Sequence, residues 1–162
     1  MKQHLFFVAF IMPWFSILQS QCYHPSDSLI YSNAYNYIVA DSLFLNKPVN
    51  VSNQLTGTCY MCFFNELKGS DDTESFYKKL SQLDKEYASN DSTCKYFDEC
   101  FFKYAKSDIM LSFSKIADCD LFAEVQIGNF GINTLGERVF YYFTFDLNGN
   151  LKFIRKKIMY GL

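Results

Sequence analysis

The feature that most constrains this chain is its last stretch, "RVFYYFTFDLNGNLKFIRKKIMY", residues 138–160. Two β-prone runs flank Asn148-Gly149, a pair that readily takes the positive φ a tight hairpin needs. Apolar matching then selects the register. A two-residue turn sets Phe145 against Lys152 and mixes apolar with charged side chains on one face. A three-residue loop with Gly149 in the left-handed region sets Phe145 against Leu151 and Phe143 against Phe153, so this hairpin is the one expected.

Two further strands precede it. "IMLSFSKI" alternates apolar and polar positions, and "LFAEVQI" places Leu121, Ala123, Val125 and Ile127 on one side. Helical spacing dominates the earlier part. Ile30, Ala34, Tyr37, Ile38 and Val39 form one stripe, which predicts a helix over 28–44 that ends ahead of Pro48. "VNVS" at 49–52 reads as a short strand, and Gly57 to Phe64 as extended chain. In "GSDDTE", Asp71 and Glu74 are spaced as a capping pair for a helix carrying Phe76, Leu80, Leu83 and Tyr87. A second helix follows "NDST", with Phe97, Cys100, Phe101 and Tyr104 on its stripe.

Helices first and strands last predict one α+β domain over residues 21–162, with helices packed on one face of a curved antiparallel sheet. The order resembles that of the cystatin-like and nuclear-transport-factor-like rolls. The resemblance is architectural, rests on no shared motif and implies no function.

The N-terminus predicts the destination. Lys2 and His4 precede the apolar run Leu5 to Leu18, and small and polar residues follow, the pattern of a secretory signal peptide over residues 1–20. The run is short for a membrane span and Pro13 interrupts it, so no stable span is expected once the signal is removed. Cleavage after Ser20 starts the mature chain at Gln21. Lipid attachment at Cys22 is the less favoured alternative, because Gln21 is larger than the residue that usually precedes a lipidated cysteine. The expected location is periplasmic or extracellular.

Ordinary cleavage leaves Cys22, Cys59, Cys62, Cys94, Cys100 and Cys119, an even set in an oxidising compartment, which predicts disulfides. If residues 59–62 are extended, side chains three apart point to opposite faces and do not bond each other. If 94–100 is helical, its cysteines are separated by about 9 Å of rise. The simplest pairing then ties Cys59 and Cys62 to Cys94 and Cys100 and leaves Cys22 for Cys119.

Two chemistries compete with that reading of "GTCYMCFF". A thiol–disulfide oxidoreductase using Cys59 and Cys62 needs the motif to open a helix, and only "FFNELK" separates it from Gly69. Every proline of the chain also lies upstream of the motif, where a thioredoxin-like fold has one downstream. Zinc needs four ligands, and Cys94 and Cys100 are awkwardly spaced as a second pair, with His24 the sole mature histidine. The same shortage of histidine weighs against Ser-His-Asp and Cys-His catalysis.

Asp118, Asp120 and Glu124 lie close together but read as a solvated turn, and "NVS" and "NDS" match glycosylation sequons at Asn50 and Asn90. A net charge of −2 and short charge runs argue against nucleic acid as a partner, "RKK" at 155–157 included. Neither a phosphate loop nor a cofactor motif is present. On the aromatic strand, the set facing away from the helices, Phe140 and Tyr142, would form a binding surface if exposed. The expectation is an exported, disulfide-stabilised domain without catalytic activity that binds a protein or a small apolar ligand.

Overall fold

Asp27 stands in the first turn of helix α1 (Asp27–Val39), where an acidic group suits the N-terminal dipole. Its buried stripe is Ile30, Tyr31, Ala34 and Ile38. The computed structural model describes residues 27–56, 59–69, 72–78, 82, 107–117, 119–128 and 136–160. The signal segment, Cys22, His24, Asp71, Cys94, Cys100 and Asp118 lie outside these residues. So do the sequon residue Asn90, the helix expected after it, and the middle of the "GNFGINTLGE" loop.

Helix α1 ends at Val39, five residues before the expected stop at 44. The reason is local. Asp41 Oδ1 accepts the Leu43 N–H at 3.0 Å, and the Phe44 and Leu45 N–H groups donate to the Asp41 carbonyl at 2.9 Å. A side chain that captures a nearby backbone donor offers an alternative to the helix ladder. The resulting turn carries Phe44 into the core, fully buried, and passes through Asn46 at φ 62°.

Five strands form one sheet in the order β1 (Asn50–Val51), β2 (Ile109–Phe113), β3 (Asp120–Ile127), β4 (Glu137–Phe145), β5 (Leu151–Tyr160). β2 to β5 are an antiparallel meander, while β1 runs parallel to β2, with Asn50 opposite Met110. The sheet is therefore mixed, which corrects the expectation of a purely antiparallel one. The connection from β1 to β2 is more than fifty residues long, ample for a parallel return. With its few short helices, the chain is broadly α+β.

Alternation sorts the strand side chains onto two faces. Leu111, Phe113, Leu121, Ala123, Val125, Val139, Tyr141, Phe143 and Phe145 share one buried cluster with Ile30, Tyr31, Ala34 and Ile38. Tyr31 packs edge-on to Phe113 at 5.5 Å, and its hydroxyl donates to the Ser114 carbonyl at 3.0 Å. Phe122 and Phe140 emerge on the opposite face, in a second cluster with Tyr60 and Phe63.

Gly149 adopts φ 78° in the β4–β5 loop, with Asp146 and Asn150 paired across it by a 2.9 Å backbone bond. Phe145 faces Leu151, as expected. One residue further the register slips, so that Phe153 faces Thr144 and Phe143 faces Ile154 rather than Phe153. The extra residue on β5 lets two neighbouring apolar side chains serve different faces. Leu151 joins the α1 cluster, while Phe153 reaches the Tyr142 ring on the other side at 6.1 Å.

Candidate functional site

Residues 60–68 are helical, not extended. Cys59 precedes a 3-10 turn, Tyr60–Phe63, which continues directly into α2, Phe64–Lys68. The Cys62 N–H donates to the Cys59 carbonyl at 3.0 Å, closing the turn. Within such a turn, positions three apart lie on one side and come within bonding reach. Cys59 and Cys62 form a disulfide with each other, their Cα atoms 5.4 Å apart. The expected ties from this pair to Cys94 and Cys100 are thereby corrected. Cys119, just before β3, is also disulfide-bonded, to a partner outside the described residues.

Apolar side chains explain why the turn forms here. Tyr60 and Phe63 project from it onto the sheet, where Tyr60 meets Phe122 edge-on at 5.1 Å and Phe63 lies 5.8 Å from Phe122 and 5.7 Å from Tyr142. Phe122 and Tyr142 stack with centroids 4.8 Å apart. Phe140 is only 3% exposed and Tyr142 half-buried, so these two are the floor of a covered layer and do not form an open surface. Strand alternation correctly turns both away from α1, but it carries no sign of the segment that covers them.

Charged groups close the layer in pairs. Tyr142 donates its hydroxyl to Asp120 Oδ2 at 2.8 Å; burial, with the nearby carboxylate, pushes its phenol well above the usual range. Lys157 bonds Glu66 at 3.1 Å and sits 5.3 Å over the Phe63 ring. Glu124 accepts from Gln126 at 2.9 Å and from Arg138 at 3.3 Å. Asp120 and Glu124 each have separate partners, and they do not converge into an acidic pair.

Sulfur gathers at the end of this face. Met159 sits opposite Arg138 in the β4–β5 ladder, with its Sδ 3.3 Å from Cys62 Sγ. A disulfide sulfur carries no hydrogen, so this is a sulfur–sulfur contact rather than a hydrogen bond. Met61 is 47% exposed and Met159 49%, while the two cysteines are half-buried. Neither methionine stands out in the sequence as a site residue. The signal is present all the same: in β5, Phe153, Arg155, Lys157 and Met159 alternate onto the face that carries Phe140 and Tyr142.

The described residues thus define a mixed-sheet α+β domain whose second face is covered by a disulfide-closed turn. No known protein family matches the chain, and no curated protein or solved structure matches it. Among the described residues no helix is long and apolar enough to cross a membrane, and no three His, Cys, Asp or Glu side chains cluster as metal ligands.

Proposed function

We propose that the chain is an exported, disulfide-stabilised domain, a cystatin-like or related roll with α1 laid on the sheet, that works by binding and not by catalysis. Its binding surface is centred on Met61 and Met159, and its partner presents an apolar group, on a protein or a small molecule. The observation that carries this reading is the exposure of the two methionines beside the Cys59–Cys62 bridge. The Lys157–Glu66 and Arg138–Glu124 pairs lie on the same side. An apolar centre with a polar rim is the usual anatomy of a recognition surface, and methionine adapts its shape to what it meets.

Photo-crosslinking from position 61 in the exported fraction tests the proposal. A single discrete adduct is expected, lost when Met159→Glu places a charge in the patch. Labelling that is diffuse, or that Met159→Glu leaves unchanged, overturns it. Mass spectrometry of the same fraction reads the mature start, expected at Gln21, and any lipid on Cys22.

One observation favours a second reading. Because Cys59 and Cys62 bond each other across the first turn of a helical segment, thiol–disulfide exchange through this pair is a coherent alternative. Insulin reduction that stops in Cys62→Ser would replace the binding reading with this one.

A further inference from the structure

We infer that, once the Cys59–Cys62 bridge is reduced, Cys59, Cys62 and Met159 form a site for a soft monovalent metal ion, Cu(I). The inference goes beyond the binding reading and stands on sulfur geometry alone. Three sulfurs from two elements meet at one place: two from the helical turn and one from the end of β5. Two sulfurs held by one metal at about 2.3 Å each lie ~3.8–4 Å apart at tetrahedral to trigonal angles. Cys62 and Met159 stand at 3.3 Å, so a small outward shift of the flexible methionine side chain admits the ion between them. The turn keeps the cysteines in reach of each other after reduction, because its backbone bond from Cys62 N–H to the Cys59 carbonyl does not depend on the bridge.

Ligand chemistry selects the ion. Thiolate and thioether donors favour Cu(I), whereas zinc takes a fourth nitrogen, oxygen or thiolate ligand in tetrahedral geometry. The carboxylates of this face are engaged elsewhere, Glu66 with Lys157 and Glu124 with Arg138. The site is dry beneath, since Phe63 is fully buried and Tyr60 nearly so.

The chemistry balances. One thiol of a reductant attacks a bridge sulfur to give a mixed disulfide and releases the other cysteine as a thiolate. A second reductant thiol resolves the mixed disulfide, leaving as a reductant disulfide and returning two protein thiols. Cu(I) then displaces one proton from each thiol and adds the thioether, with no change in its own oxidation state. Metal binding and the bridge are therefore mutually exclusive, so the compartment's thiol poise gates the site.

The test is anaerobic titration of Cu(I) against the chromophoric chelator bicinchoninate, using full-length protein reduced with a phosphine and desalted. Reduced wild type is expected to withdraw an equivalent of copper that the oxidised protein and reduced Cys62→Ser do not. Met159→Leu, at a half-exposed position that tolerates the change, is expected to bind about tenfold more weakly or worse. Identical curves for wild type and Met159→Leu remove the thioether and overturn the proposal, as do identical curves for wild type and Cys62→Ser, which would assign the copper to other cysteines. Loss of copper binding in Cys62→Ser with the crosslink at position 61 intact would separate this site from the binding reading.

Discussion

On the α1 face of the sheet, Leu111, Phe113, Leu121, Val125, Tyr141 and Phe143 are all fully buried, continuous with the helix above them. Across the sheet burial is less complete: Phe122 and Phe140 are buried, while Tyr142 on one side of Phe140 is half-buried and Met159 on the other is exposed at the rim. Among the described residues, a thirteen-residue helix and Phe44 share the buried cluster of one face, and a turn that closes on its own disulfide packs on the other. A face that buries everything contributes stability. A face covered by a short, internally cross-linked segment keeps reactive and polarisable atoms near water while their aromatic support stays dry. That difference is what the proposed binding surface rests on.

The comparison breaks most readily in the aromatic layers. Phe143→Ala should cost about 3–5 kcal/mol, because the surrounding α1 cluster cannot collapse around the cavity. Phe122→Ala should cost less, near the lower end at about 3 kcal/mol, since its cover among the described residues is the short 60–68 segment, which can settle to refill the space. Urea unfolding of the two variants decides the matter, and equal losses would mean that the faces are packed alike.

A smaller effect sharpens the role of the bridge. It spans a sequence separation of three, so Cys59→Ser with Cys62→Ser should lower stability by about 2 kcal/mol or less, well below a bridge that closes a long loop. A larger loss in the same urea assay would show that the turn needs its cross-link to cover the sheet.

The smallest expected effect is electrostatic and belongs to the α1 face. Burial alone would raise the Asp41 carboxyl. Bonds from Lys156, from the Leu43 N–H and from Tyr141 at 2.9 Å outweigh it and hold the group below its ordinary 3.8. A folded pKa below the unfolded one stabilises at pH above about 4 and loses that contribution as pH falls through the folded value. Lys156→Met should therefore be less stable than wild type at neutral pH, with the gap narrowing as acid protonates Asp41. A gap that widens in acid would reverse the assignment.

Much of the sheet is legible in the residues themselves. Alternation in "IMLSFSKI" and "LFAEVQI" marks β2 and β3, and Asn148-Gly149 marks the hairpin. The register beyond Phe145 is not legible, because the bulge satisfies two opposite faces and apolar matching weighs only one. The end of α1 turns on a single carboxylate, Asp41, whose competing backbone bond leaves the apolar stripe unchanged. At the site, the discrepancy has one source. An extended 57–64 sends Cys59 and Cys62 to opposite faces, whereas Tyr60 and Phe63 supply helical spacing to bury on Phe122.

Sequence alone determined what depends on neighbours along the chain: the period-two strands, the left-handed glycine of the hairpin, the aromatic supply for a core and the outward direction of Phe140 and Tyr142. Tertiary structure decided what covers those rings, that the two cysteines close on each other, and that a methionine near the chain's end rests against one of them. Periodicity is set by local backbone geometry and survives in any short window. The meeting of Cys62 with Met159 joins positions 97 residues apart, and only the packing of the turn on the sheet brings them together.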